Sequence, residues 1–300
     1  MNMISRARPV VFGEVLFDCF PDGSSVLGGA PFNVAWHLQA FGAEPLMVTR
    51  VGDDALGAAV TGAMGEWGMD LAGVQVDAQR PTGTVEVRFE EGEPSYRITE
   101  GVAWDAIDAA ALPSPGAAGL LYHGSLALRA GASRRAWSAL CASLHAPRFM
   151  DVNLRAPWWD PGEVRAWARG AAWVKLNADE LERLDARERE DGEDGRDGEA
   201  FRRGCAIGRL VVTRGARGAL VLDDDGRHED RPVTAARVVD TVGAGDAFAS
   251  VLLLGAIEGW DTATTLARAQ DFASAIVGVR GATVREAAFY APFRSAWSLA

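Results

Sequence analysis

Asp240-Thr241-Val242-Gly243-Ala244-Gly245-Asp246 lies between a strand-like run, Ala236 to Val239, and an apolar run, Ala247 to Ile257, that reads as a buried helix. Small residues at the mouth of a helix leave backbone N–H groups unpaired at the positive end of the helix dipole. Such a mouth holds a phosphate, or stabilises negative charge developing on one. Asp246 is the odd member, because a carboxylate beside an anion hole opposes the anion. It makes sense there as the base that takes a proton from a nucleophile attacking phosphorus. The residues alone equally fit a helix N-terminus capped by an acid.

Working outward, short β-branched runs alternate with longer amphipathic ones. Pro9 to Phe12, Leu46 to Val51, Gly119 to Tyr122, Arg148 to Val152, Ala172 to Leu176 and Leu210 to Thr213 read as buried strands. Pro31 to Phe41, Asp54 to Trp67, Ser133 to His145, Glu199 to Ile207, Ala244 to Glu258 and Thr262 to Val279 read as helices. This alternation predicts an α/β fold with a mostly parallel sheet and helices on both faces, with ligands beyond the carboxyl ends of the strands. Two segments break the pattern. Thr82 to Phe89 and Ser95 to Thr99 flank Glu90 to Pro94 as an antiparallel hairpin, and Val15 to Leu27 carries a Pro21-Asp22-Gly23 turn. Together they predict a small β flap, with lid segments at about residues 14–27 and 82–100 of one domain spanning 1–300. The acidic stretch Asp185 to Glu199 reads as a solvated loop with no assigned role.

Composition narrows the function classes. The chain has 300 residues, 48% of them hydrophobic, enough for a large core. Its apolar runs are too short to span a bilayer, no secretory h-region is evident, and three scattered cysteines offer no disulfide framework, which predicts a cytoplasmic protein. A net charge of −11 argues against a nucleic-acid groove. Lys175 is the only lysine in the chain, so a Walker-type phosphate loop and the strand lysine of protein kinases are both excluded. If the chain moves phosphate, arginines, backbone amides and a metal must neutralise its charge.

A second glycine-rich site, Gly28-Gly29-Ala30-Pro31-Phe32-Asn33, opens the helix running to Phe41. Its glycines permit close backbone approach, and the Asn33 amide suits a polyhydroxylated ligand; a tight turn before a capped helix fits as well. Neither site gives the Gly-x-Gly-x-x-Gly of a dinucleotide fold.

Together these stretches resemble the ribokinase-like (PfkB) family of sugar kinases. Gly28 to Asn33 through Val51-Gly52-Asp53-Asp54-Ala55-Leu56-Gly57 is similar to its N-terminal signature, and Asp240 to Asp246 to its C-terminal one. Asp151 to Arg155, Lys175 to Glu180 and Thr213 to Gly218 match in order between them. The resemblance implies an ATP-dependent carbohydrate kinase needing Mg²⁺, with a monovalent cation such as K⁺ in some relatives. It implies Asp246 as the base, with Gly243, Ala244 and Gly245 forming the anion hole. Asp18, Gly29 and Asn33 would hold sugar hydroxyls, Arg155 would reach substrate or phosphate, and Tyr96 and Arg97 would close over the sugar from the flap. Asn177, Thr213, Gly215 and Gly218 would meet the nucleotide. Asn177 and Glu180, three apart on one helical face, would organise the metal and its waters; a capped helix is the plain reading of that pair. An exposed flap edge implies a homodimer through the lid. Gly13 to Asp18, and Asp151 to Arg155 followed by Trp158, look like the fructokinase branch. A 2-keto-3-deoxygluconate kinase would share most of these residues and would turn Arg97 and Arg155 to its substrate carboxylate. A nucleoside kinase, and a sugar-binding regulator that has lost catalysis, complete the alternatives.

Overall fold

Thirteen short runs become strands in a computed structural model that describes residues 8–90, 93–114, 116, 118–185, 198–231 and 238–299. In chain order they are β1 (Arg8–Phe12), β2 (Leu16–Cys19), β3 (Ser25–Gly28), β4 (Leu46–Gly52), β5 (Val74–Asp77), β6 (Gly83–Glu90) and β7 (Glu93–Ile98). There follow β8 (Ala118–Gly124), β9 (Arg148–Asp151), β10 (Trp173–Asn177), β11 (Arg209–Thr213), β12 (Ala219–Asp223) and β13 (Gly226–Asp230). Nine of them form one sheet in the order β13-β12-β11-β10-β9-β8-β1-β4-β5. From β11 to β5 every pairing is parallel, and β12 and β13 add an antiparallel edge.

The helices are α1 (Ala30–Ala40), α2 (Ala55–Glu66), α3 (Gly131–Leu144), α4 (Pro161–Ala168), α5 (Ala178–Asp185), α6 (Glu199–Gly204), α7 (Ala244–Glu258), α8 (Thr262–Val277) and α9 (Ala287–Ala296). They cover both faces of the sheet because successive strand side chains point opposite ways. Val11 packs into a core with Trp36, Leu252 and Phe272, whereas Val10 and Phe12 join a second core with Leu140, Val164 and Phe201. Helix α7 is buried without interruption from Ala247 to Gly255, which is why its sequence is apolar all round.

The flap is a four-stranded sheet in the order β3-β2-β6-β7, built from two antiparallel hairpins joined by a parallel β2–β6 pairing. Asp54 ties it to the main body. Its carboxylate caps α2 by accepting from the Gly57 N–H at 2.7 Å, and accepts from the Thr82 N–H and hydroxyl at 2.8 and 2.7 Å. The run Gly52-Asp53-Asp54 therefore joins a helix start to the entrance of β6.

Several elements differ from the sequence expectation. Strands β5, β12 and β13 and helices α4 and α9 were not predicted; β5 and β13 are short sheet edges, α4 opens on a proline and α9 contains one, Pro292. Of the strand expected over Ala236 to Val239, residues 236 and 237 lie outside the described residues, and Val238 and Val239 form no strand. The Val239 N–H instead donates to the Val277 carbonyl at the end of α8. Most of the acidic stretch, residues 186–197, also lies outside the described residues. Among the described residues no helix is long and apolar enough to cross a membrane.

Candidate active site

The carboxyl ends of the parallel strands converge on the start of α7. Gly243, at φ 77°, is the residue before the helix; a side chain there would overlap Ala282, so only glycine fits the turn. Asp240 fixes the approach. Its carboxylate accepts from the Val242 N–H at 3.0 Å and the Gly281 N–H at 3.1 Å, pinning the loop on both sides.

Asp246 stands in the first turn of α7 and accepts a 2.8 Å hydrogen bond from the Asn33 amide. Sequence positions at opposite ends of the chain thus meet side chain to side chain. A carboxylate in a helix's first turn is favoured by the dipole, by about 0.3–1 kcal/mol. Burial overrides that here and pushes the Asp246 pKa up to about 6; Asn33, Lys175 and Arg155 lower it and Asp151 raises it. The side chain is half-buried, enclosed by protein yet open to a ligand on one side.

Glu14 and Asp18 complete an acidic rim. Burial raises both, Glu14 to about 7, and Arg155 opposes the rise in each case. Asp18 and Asn33 both border Gly28, lying 3.8 Å from the point a side chain would occupy there. Gly29 sits at φ 113°, where a Cβ would strike the Glu14 carbonyl at 2.8 Å. Its freedom serves the packing of the α1 turn against the loop after β1.

Lys175, which composition had marked only by its rarity, lies beneath the first turn of α7. Its ammonium is 3.5 Å from the point a Gly245 side chain would occupy, and 2.8 and 3.0 Å from the two oxygens of Asp151. The pair is buried, and the Tyr122 hydroxyl adds a 3.4 Å bond to Asp151. Burial pulls the lysine pKa down, but Asp151 more than offsets it, with Asp246 and Glu180 acting in the same direction. Lys175 is thus a permanent cation.

Asn177 and Glu180 form a reciprocal capping box. The Glu180 N–H donates to Asn177 Oδ1 at 2.9 Å, and Glu180 Oε2 accepts from the Asn177 N–H at 2.8 Å. Glu180 Oε1 accepts from the Leu154 N–H at 2.7 Å. With each carboxylate oxygen holding a backbone amide, the pair fits a hydrated ion reached through water and not a caged one. Among the described residues no three carboxylate, histidine or cysteine groups cluster as a metal cage.

At the end of β11, Thr213 donates to the Leu176 carbonyl at 3.4 Å, and Gly215 opens the following turn at φ 57° with space around it. Gly218 has a different reason for being glycine. A Cβ there would lie 2.0 Å from the Asp230 carbonyl, so it serves the β12–β13 hairpin.

The flap separates two residues expected to act together. Asp18 pairs with Val85, and Tyr96 with Val87, so Tyr96 shares the face that carries Asp18. Arg97 pairs with Glu86 on the opposite face, is 74% exposed, and lies 3.9 Å from the Glu86 carboxylate. Strand alternation, blind to side-chain type, turns Arg97 away from the face that carries Asp18. Sequence reasoning also gave no role to Glu14, Tyr122, Arg129 or Asp151, whose partners are distant in the chain.

The chain belongs to the pfkB family of carbohydrate kinases: the family model matches residues 15–287. It is 32% identical over 263 residues to a fructokinase of Escherichia coli, covering 83% of this chain and 84% of that one. A double mutant of a Vibrio cholerae fructokinase, solved with fructose, ADP and a potassium ion, superposes with a TM-score of 0.79 at 27% identity, covering 96% and 98% of the two chains. A fructokinase of Xylella fastidiosa with bound ATP gives 0.83 at 20% identity, over 98% of this chain and 100% of that one. The protein is therefore a phosphotransferase with an alcohol group as acceptor, on a ribokinase-like fold.

Proposed function

We propose that this enzyme transfers the γ-phosphoryl group of ATP to a primary hydroxyl of a neutral monosaccharide, fructose first among them. The observation that carries the choice is the acidic rim: Glu14, Asp18 and Asp246 all lie within electrostatic reach of Arg155, which forms no ion pair among the described residues. A neutral polyol supplies hydroxyl donors to such a rim, whereas a carboxylate substrate meets three acids. The keto-acid alternative also loses Arg97, which lies on the far face of the flap. The fructokinase relatives point the same way.

In this reading Asp246 takes the proton of the attacking hydroxyl, while Asn33 holds one of its oxygens and so fixes the carboxylate plane. A pKa near 6 leaves it ionised at neutral pH and still basic enough to act. The amides of Gly243, Ala244, Gly245 and Asp246 receive the transferring phosphoryl group, with the Lys175 charge behind them. Asp18 and Asn33 take the remaining hydroxyls. Thr213 and Gly215 meet the nucleotide phosphates, and Tyr96 closes over the sugar with the flap. Asn177 and Glu180 would hold Mg²⁺ through its water shell, where it would supply charge neutralisation for the nucleotide phosphates.

The test is an ATP-dependent phosphorylation assay over fructose, other hexoses, 2-keto-3-deoxygluconate and nucleosides, with wild type and Asp246→Asn. Fructose is expected to be the best acceptor. The variant should lose about 10²–10⁴-fold in kcat while still binding sugar. Near-normal turnover in Asp246→Asn removes the base, and a preferred keto acid overturns the neutral-sugar reading.

A further inference from the structure

A buried histidine on α1 has no part in the steps above. His37 has no exposed surface, and its ring meets Phe272 edge-on at 5.0 Å between centres. Both of its nitrogens are engaged: Nε2 lies 3.0 Å from the Ala282 carbonyl oxygen, and Nδ1 lies 3.0 Å from the Tyr290 hydroxyl. A carbonyl oxygen only accepts, so the single ring proton of a neutral imidazole belongs on Nε2. Nδ1 is then the acceptor and takes the Tyr290 proton. The other acceptor within reach of that hydroxyl, the Val284 carbonyl at 3.2 Å, is already served by the Trp36 indole N–H at 2.9 Å. Burial pushes the His37 pKa down to about 3, which keeps the ring neutral and its one proton on the Ala282 side.

The Ala282 carbonyl connects this ring to the start of α7. Its oxygen lies 3.0 Å from the point a Gly243 side chain would occupy, and Ala282 Cα and Cβ lie 2.4 Å from the same point. Ala282 is thus the wall against which the Gly243 turn is built. The residue before it, Gly281, donates to Asp240 on the approach to that turn. Asn33, one helical turn before His37 on the same face of α1, donates to Asp246 at 2.8 Å. One face of α1 therefore grips the start of α7 twice, at its carboxylate and at the wall of its glycine turn.

We propose that His37 is a positioning residue for phosphoryl transfer: by donating to Ala282 it fixes the wall that shapes Gly243 and the amides after it. The inference rests on the reading of Gly243 to Asp246 as the anion hole and deepens it. Phosphoryl transfer depends mostly on placement, so a small shift of that wall costs rate and leaves the contacts to the sugar hydroxyls in place.

The test measures kcat, the KM values for sugar and ATP, and melting temperature in wild type, His37→Met, His37→Gln, Tyr290→Phe and Gly243→Ala. His37→Met keeps the bulk and removes the donor; it should lower kcat about 10- to 100-fold with both KM values little changed. His37→Gln carries an N–H where Nε2 stood and should recover most of the rate. Tyr290→Phe deletes a hydrogen bond of the same network yet leaves the Ala282 bond intact, so it should lower the melting temperature while kcat stays near wild type. That contrast separates positioning from stability alone. Wild-type kcat in a folded His37→Met, equal losses of kcat in His37→Met and Tyr290→Phe, or no recovery in His37→Gln overturns the proposal. The chain has four histidines, and nitrogen NMR should show His37 neutral with its proton on Nε2 from about pH 5 to 9. A proton on Nδ1 overturns the proposal as well. Gly243→Ala probes the reading beneath it. Full kcat in that variant, or a wild type that phosphorylates no sugar, overturns the anion hole and the proposal together, whereas a slow Gly243→Ala beside a normal His37→Met overturns the proposal alone.

Discussion

Lys175 has an acid on almost every side: Asp151 at 2.8 Å, with Asp246 and Glu180 in electrostatic reach. Its charge lowers the Asp246 pKa, against burial and Asp151, which raise it. With Asp246 as the proposed base, replacing Lys175 with methionine should therefore move the acid limb of kcat/KM to higher pH. The same change strands Asp151 as a buried unpaired carboxylate, which typically costs about 3–5 kcal/mol. Adding Asp151→Leu should return much of that stability. A pH–rate profile of Lys175→Met that overlays the wild type would deny the lysine any influence on the base. At this scale the helix-start positions of Asp246 and Asn33 were legible from sequence, because glycines and small residues before an apolar run mark where a helix begins. Lys175 was not, since it sits in the middle of a strand and only the folded sheet brings it under a loop from far along the chain. Glu180 shows the reverse: three-residue spacing marked it correctly as a pair with Asn177, and the pair closes as a capping box.

Among the elements, the joint between α2 and the flap is the most exposed to single changes. Asp54 serves the helix N-terminus and Thr82 together, and these bonds hold its pKa below the usual carboxylate range against the effect of burial. Asp54→Ala removes a cap worth about 0.5–2 kcal/mol and leaves Thr82 without its acceptor. The expected result is a lower melting temperature and a raised KM for sugar, as β6 and the flap lose their anchor. Asp54→Asn, which can still accept from an N–H, should recover part of each. Equal KM values in wild type and Asp54→Ala would show that the flap closes without this tie. The flap hairpins were readable from turn residues and alternation, but not the parallel β2–β6 pairing, which no local signal encodes. Nor did the sequence fix which of Tyr96 and Arg97 faces the cleft, because register assigns the face and a shift of one residue reverses it. Edge strand β13 went unseen for a related reason: its five residues are glycine or polar and none is buried, so no apolar alternation marks it.

The whole molecule feels the acidic rim as a stability term. Glu14 and Asp246 bind protons more tightly folded than unfolded, with pKa values of about 7 and 6 against ordinary values of 4.5 and 3.8. Between those limits the folded chain keeps protons that the unfolded chain has released, so stability from these groups falls as pH rises. Urea unfolding from about pH 4.5 to 8 should show Glu14→Gln gaining on wild type through that window, by up to about 3 kcal/mol at its upper end. A difference that stays constant with pH would mean the carboxyl is not strained by burial. The layered architecture itself was the most legible level, because alternating periodicities oblige helices to cover both faces of a parallel sheet. Convergence of two glycine-rich loops on one carboxylate needed the fold, since it depends on strand order. One further consequence follows from the buried Lys175–Asp151 pair. Since no other side-chain ε-amine exists in the chain, reagents that acylate amines meet a target that is only 8% exposed and held as an ammonium ion. Amine-directed acylation is therefore expected to leave this side chain, and the first turn of α7 beside it, unmodified.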